Sequence, residues 1–208
     1  MNTIDILYYI NLDYRIDRNE QFKSWIDESG FPKEKVERIS AIYTPGKGHI
    51  GCIQSHIKTL ETFLSSPHNN CIIFEDDFIP LNIPTFWNNF ETFFNDKIPY
   101  DVVMCSYNQE VITDGPTSYL KKLHYSFTAS GYLLTKEFAR KLYDEVKDLP
   151  NLALEEERQT GKKTHQYMND VYWCKLMPEN NWYCFYPRIG KQEPSYSDLE
   201  QCFTEYNV

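Results

Sequence analysis

The sequence predicts an α/β sandwich built on a largely parallel central sheet. Short apolar runs alternate with amphipathic helical stretches through the first 106 residues, the pattern of a sheet wound with helices. The two clearest runs, Leu7-Tyr8-Tyr9-Ile10 and Cys71-Ile72-Ile73-Phe74, are apolar at every position, as in strands covered on both faces. Polar residues follow each run directly: Asn11 to Arg18 after the first, and Glu75-Asp76-Asp77 after the second. In open α/β sheets ligands collect beyond such carboxyl ends.

Asn11 and Asp13 bound the first strand. Asp17 is then expected as an N-cap with Glu20 as its capping-box partner, for a helix whose face is Phe22, Trp25 and Ile26 and which stops at Gly30-Phe31-Pro32. Residues 36–42 alternate as a second strand, and 44–51 read as a glycine-rich loop. Ile50, Ile53, Ile57, Leu60 and Leu64 recur at three- and four-residue spacing, giving a helix that ends near Pro67. After the Cys71 strand come an aromatic helix (Phe86, Trp87, Phe90, Phe93, Phe94) and a strand over 100–106. Asp114-Gly115 marks a turn, and strands are expected to flank 118–134 with Gly131 between them. Thr135 caps a helix carrying Phe138, Leu142 and Val146. Residues 151–166 read as a polar loop, 167–177 as a short helix, 182–186 as a strand, and the rest as a polar tail.

The chain has 208 residues and a net charge of −9. The acidic balance, with no run of Lys or Arg, argues against general nucleic-acid binding. Its 16 Tyr and 13 Phe against 8 Gly leave little that would stay unfolded. Met1-Asn2-Thr3-Ile4-Asp5 has no basic region or long apolar stretch of a signal peptide. No apolar segment approaches the ~20 residues of a membrane span. The six cysteines form no CxxC pair and are expected as buried free thiols. A single intracellular, cytoplasmic domain over residues 1–208 is the expectation.

Three adjacent carboxylates at the end of a buried strand repel one another and call for a compensating charge. Hard divalent cations take such oxygens together with substrate phosphates; the competing reading of Glu75-Asp76-Asp77 is a solvated turn cap. Arg15 and Arg18 could grip a diphosphate through their planar guanidinium forks, or could mark a solvated helix start. His56, one residue before the apolar Ile57, fits a packed structural histidine better than a catalyst. Gly48 and Gly51 do not make a phosphate-binding loop of the G-x-x-x-x-G-K type.

Together these pieces resemble glycosyltransferase family 25, which includes lipooligosaccharide sugar transferases and procollagen hydroxylysine galactosyltransferases. The resemblance runs through Tyr9-Ile10-Asn11-Leu12-Asp13 with Arg15 and Arg18, Arg38-Ile39-Ser40-Ala41, Gly48-x-x-Gly51-Cys52-x-x-Ser55-His56 and Ile73-Phe74-Glu75-Asp76-Asp77. It continues in Thr128 to Leu134 with Ala139 and Leu142, then Pro187, Gln192 and Ser197-Asp198-Leu199. It implies a GT-A fold (a Rossmann-like αβα sandwich), with a nucleotide-sugar half over 1–106 and an acceptor-side half over 107–208. It further implies a UDP-sugar donor and Mn²⁺, or Mg²⁺, at the acidic triplet as a form of the DxD motif. Asp77 foremost, with Glu75, is the expected metal ligand. Asn11, Leu12, Asp13, Arg15, Arg18, Ser55, Glu75 and Asp76 are the expected donor-binding set. Asp170 is the expected base toward an acceptor hydroxyl on hydroxylysine, on its glycan in a collagen-like protein, or on a surface oligosaccharide; an ordinary helix cap is the alternative there. A metal-dependent phosphodiester hydrolase and a non-catalytic carbohydrate-binding domain are the rival readings of the whole chain.

Overall fold

A computed structural model describes residues 3–197 and 202–204. Met1 and Asn2, read above for a leader, and Asp198 and Leu199 of the terminal pattern lie outside the described residues. The chain begins β1 (Ile6–Asn11), α1 (Ile16–Ser29), β2 (Val36–Ser40), α2 (Gly48–Ser65), β3 (Asn70–Glu75), β4 (Phe78–Pro80) and α3 (Ile83–Asn95). It continues β5 (Val102–Met104), β6 (Asn108–Asp114), β7 (Leu120–Phe127), β8 (Gly131–Thr135), α4 (Lys136–Val146), α5 (Leu149–Thr160) and α6 (Asn169–Tyr172). It closes with β9 (Trp182–Phe185), β10 (Gly190–Gln192), β11 (Ser195–Ser197) and β12 (Cys202–Thr204).

Eight strands form the central sheet in the order β2-β1-β3-β8-β5-β9-β7-β6. Their pairings make six of the eight point one way, with β7 and β8 reversed. Side chains alternate across the pleat, which explains the unbroken apolar runs. Ile6, Tyr8 and Ile10 of β1 and Cys71 and Ile73 of β3 pack beneath α2, α4 and α5. Leu7, Tyr9, Ile72 and Phe74 pack on the opposite side against Phe22, Trp25 and Ile26 of α1 and Phe86, Trp87 and Phe90 of α3. The predicted mostly parallel αβα sandwich is therefore the observed fold. No helix among the described residues is long and apolar enough to cross a membrane. All six cysteines are free thiols; four are buried, Cys52 is half-buried and Cys202 exposed.

Five local expectations change. Helix α1 starts at Ile16, so Asp17 lies inside its first turn, and the Arg15 position before the helix makes no side-chain cap. Arg15 holds the Asp17 carboxylate at 3.0 and 2.8 Å, which pulls that acid down to about 2. The loop at 44–51 is already helical from Gly48. Gly131 opens β8 rather than separating two strands; a Cβ there would meet the Phe78 ring at 2.7 Å, and Phe78 stacks on Phe74 at 4.4 Å between centroids. The polar stretch read as a loop at 151–166 is mostly α5. Its Glu, Gln, Arg, Leu and Ala residues favour helix, and a single buried patch of Leu149, Pro150 and Ala153 anchors it, too little to leave a readable apolar period. The polar tail contains three short strands, of which β10 pairs with β4.

The cap predicted for α4 is present: Thr135 Oγ1 accepts from the Phe138 N–H at 3.2 Å. Thr135→Ala is expected to cost about 1 kcal/mol, readable as a lowered urea midpoint at unchanged slope.

Candidate functional site

Parallel pairing of β1, β2 and β3 brings their carboxyl ends to one edge of the sheet, with Ile10 beside Glu75 and Asn11 beside Ser40. Above this edge lies a cavity of about 550 Å³. Glu75, Asp76 and Asp77 form part of its wall, facing Gly48, Gly51, Cys52, Ser55 and His56 of α2. Those five positions share one helix face because they recur every three or four residues. The segment before and within α6 supplies His165, Met168, Asn169 and Asp170, and the β7–β8 connection supplies Thr128 and Ala129.

The three acidic residues have different surroundings. Asp76 is buried, accepting from Asn11 Nδ2 at 2.7 Å and from Arg18 Nη1 at 2.8 Å. Asp77 is also buried and lies 3.3 Å from the same guanidinium nitrogen. Burial pushes Asp77 up to about 7, with the charge of Glu75 adding to the effect and Arg18 opposing it. Burial also raises Asp76 despite its Arg18 partner. Arg18 in turn is held charged by Asp77 and Asp76, which together outweigh its own desolvation.

Glu75 is half-buried and divides its oxygens. Oε1 faces His56 Nε2 at 3.1 Å, and Oε2 receives Gln192 Nε2 at 3.3 Å. The same Gln192 nitrogen is 3.5 Å from Asp77 Oδ1, so one positive N–H edge already stands between the two carboxylates. That convergence of two acids on one point is the donor set a hard divalent cation takes. The pairing of Phe78 with Gln192 across β4 and β10, and a hydrogen bond of 2.8 Å from Glu193 N–H to Asp77 O, hold this side of the site.

Asp170, the second residue of α6, also lines the cavity, and its Oδ2 accepts from Thr128 N–H at 3.1 Å. Burial raises its carboxyl above the ordinary range, and Glu75 adds to this. Thr128 holds φ at +84°, which a β-branched residue adopts only when its surroundings force it; strain of this kind collects at functional sites. Asn169, beside Asp170, is buried with neither side-chain polar atom paired.

The expected donor residues divide into two groups. Leu12, Arg18, Ser55, Glu75 and Asp76 line the cavity, as does the expected metal ligand Asp77, whereas Asn11, Asp13 and Arg15 do not. Asn11 braces Asp76, and Asp13 is held by Arg38 at 2.7 Å and Ser40 at 2.9 Å. Arg15 ties the Asp17 carboxylate to the Tyr196 carbonyl. Ser55 donates to Gly51 O at 2.6 Å and accepts from Ile42 N–H at 2.8 Å, fastening α2 to the chain after β2. Asn169 and the rim pair Tyr14 and Tyr43 carry no sequence signal for a site, whereas Cys52, Thr128 and Gln192 fall in the stretches that carry the family resemblance without a role assigned to them there.

Gly51 has a structural reason: a Cβ there would collide with the Ile42 carbonyl oxygen, which is backbone and cannot swing away. Gly51→Ala is expected to destabilise by about 1–3 kcal/mol, measured by denaturant unfolding.

The family model for glycosyltransferase family 25, described as LPS biosynthesis protein, matches residues 43–157. The match takes in α2, the acidic triplet and the Thr128 turn, and covers more than half of the chain. The chain belongs to glycosyltransferase family 25. It is accordingly a glycosyltransferase, an enzyme that joins a sugar from a donor to an acceptor, and its sheet and layers are those of the GT-A class. Arg18, Asp170 and Gln192 lie outside the matched segment and line the same cavity. No match is found among curated proteins.

Among solved structures, A197 from STIV is similar over 99% of this chain and 96% of its own, at a TM-score of 0.51 and 12% identity. The mannose-1-phosphate geranyltransferase of Thermus thermophilus is similar over 89% and 75%, at 0.48 and 9%. A mutant Drosophila β-1,4-galactosyltransferase 7, in complex with manganese, UDP-Gal and xylobiose, is similar over 99% and 76%, at 0.49 and 8%. At 12% identity the likeness to A197 is one of fold.

A charge experiment follows from Asp77. Its folded value of about 7 lies above the ordinary 3.8, so between these limits the folded chain keeps a proton that the unfolded chain releases. Stability of the metal-free protein from this group is therefore fully present below about pH 4 and is lost as pH rises through about 7. Asp77→Asn should be more stable than the parent at pH 8 in chelator, the difference closing near pH 4. Parallel urea titrations at the two pH values measure it.

Proposed function

We propose that this family 25 member is a metal-dependent hexosyltransferase, moving galactose or glucose from a UDP-sugar to an acceptor hydroxyl. Hydroxylysine or its glycan on a collagen-like protein, and a surface oligosaccharide, are the acceptor classes. Residues 1–208 act as one domain, with donor contacts from 1–106 and acceptor contacts from 107–208. The observation that carries this reading is the convergence of Glu75 and Asp77 on one point of the wall of a cavity that Asp170, a carboxylate made more basic by burial, also lines.

Asp77 and Glu75 would hold Mn²⁺ or Mg²⁺, which when bound neutralises the diphosphate and the charge that develops on departing UDP. Arg18 favours the ionised forms of Asp76 and Asp77 for that task while adding positive charge beside the phosphates. Local cationic charge of this kind lets an acidic protein accept an anionic donor. Tyr14 and Tyr43, packed edge to face at 5.3 Å and both half exposed or more, offer ring faces to the base or the sugar. Asn169 gives an unpaired amide to a sugar hydroxyl, where an unmet buried polar group otherwise costs about 1–3 kcal/mol.

In a direct displacement the acceptor oxygen bonds to the anomeric carbon as the bond to the β-phosphate oxygen breaks. The acceptor proton passes to Asp170, and UDP leaves with the bonding pair. A carboxylate with a raised pKa is the stronger base this step requires. Incubation with UDP-galactose or UDP-glucose, Mn²⁺ and hydroxylysine peptides or oligosaccharides, with UDP release and acceptor mass measured, tests the reading. Release that is metal-dependent and accompanied by a hexose mass gain supports it; release of nucleoside monophosphate without transfer favours the phosphodiesterase alternative and sinks it.

A further inference from the structure

Cys52 and His56 stand one turn apart on α2, and Glu75 reaches both from the end of β3. Cys52 Sγ, His56 Nε2 and a Glu75 oxygen lie within 4.8 Å of one another. Sγ is 3.8 Å and Nε2 3.1 Å from the same oxygen, Oε1. Zinc–ligand bonds of about 2.3 Å to sulfur and about 2.0–2.1 Å to nitrogen or oxygen give tetrahedral edges of roughly 3.3–3.6 Å. The three donors thus already outline one face of a tetrahedral site, within adjustments that side chains alone can make. Its fourth corner opens on the cavity that all three residues line.

The donor chemistry differs in kind from that of Glu75 and Asp77. A thiolate and an imidazole select borderline-soft ions such as Zn²⁺, Co²⁺ or Cd²⁺, whereas carboxylates suit Mg²⁺ and Mn²⁺. The imidazole is oriented for the purpose. Tyr132, fully buried, places its hydroxyl 3.0 Å from His56 Nδ1 and turns Nε2 toward the cluster. Fixing a ligating ring through its other nitrogen is the usual support of a metal-bound histidine.

We propose that Cys52, His56 and Glu75 form a second cation site, for a zinc-class ion, that shares Glu75 with the site expected for Mn²⁺. On binding, the Cys52 thiol gives its proton to solvent and the sulfur takes its place on the ion. Occupancy draws Glu75 away from Asp77, so the zinc-class ion inhibits sugar transfer. The inhibition rests on the transferase reading above; the binding does not.

The full chain, stripped with chelator, is titrated with Co²⁺ and followed by thiolate-to-cobalt charge-transfer absorption in the near ultraviolet. One equivalent is expected to bring up the band, and Zn²⁺ to remove it. Cys52→Ser and Cys52→Ala should each abolish the band while Cys202→Ser, at the exposed thiol, keeps it. No band, or one that survives both Cys52 variants, overturns the site. In the second arm Zn²⁺ is added to Mn²⁺-supported UDP release, and each variant is compared with its own uninhibited rate. The half-inhibitory Zn²⁺ concentration should rise at least about tenfold in Cys52→Ser, for loss of the soft ligand. A cobalt band with sugar transfer indifferent to Zn²⁺ overturns the sharing of Glu75. If no donor is turned over at all, the transferase reading fails and the cobalt titration still decides the site.

Discussion

Asp77→Asn is expected to lower metal-dependent UDP release by about 10²–10³-fold, the loss that follows removal of one main stabiliser of transition-state charge. The change is nearly isosteric, so packing against Arg18 and Gln192 should survive. What disappears is the ionised oxygen beside Glu75. The loss should fall on kcat/KM and on the Mn²⁺ concentration needed for half activity. A thermal-shift series separates this from misfolding. The parent should gain stability with UDP only when Mn²⁺ is present, by mass action, and the variant should lose that gain while melting cooperatively. A variant that keeps its rate and its Mn²⁺-dependent shift would remove Asp77 from the site.

The second large effect is expected at Asp170. Asp170→Asn can still accept the Thr128 N–H through its amide oxygen, so the strained turn stays supported, but the proposed base is gone. A positioned general base contributes about 10²–10⁴-fold. The loss should appear in kcat, with the UDP- and Mn²⁺-dependent thermal shift retained. This pattern distinguishes it from Asp77→Asn, where both fail. If kcat holds and only stability falls, Asp170 is a helix-start residue and the acceptor proton goes elsewhere.

The sequence displays the site unevenly. Glu75-Asp76-Asp77 is legible because an abrupt change from apolar to acidic residues at the end of a covered strand has few explanations. The roles inside it are not. Asp76 turns to Arg18 and Asn11, while Glu75 and Asp77 share Gln192, a residue more than a hundred positions away brought in by the β4–β10 pairing. His56 is buried and hydrogen bonded, as a packed structural residue requires, yet one of its partners is Glu75 itself. Helix α5 escapes the periodicity because its burial is confined to one patch, and its polar composition imitates a loop.

By itself the sequence determined the layered α/β fold, the position of the acidic triplet at a strand end and the family to which the chain belongs. The first two follow from local rules, namely alternation across a pleat, periodicity around a helix and the contrast between an apolar run and the charges that end it; the family follows from the motif resemblance and the match over residues 43–157. Tertiary structure alone decided which side of each carboxylate is engaged, that Arg18 pairs with Asp76 and Asp77, that Asp170 lines the same cavity, and that Cys52 and His56 stand beside Glu75. Those relations depend on through-space distances of a few ångströms between segments remote in the chain, and on the desolvation that arises only when the layers close over them.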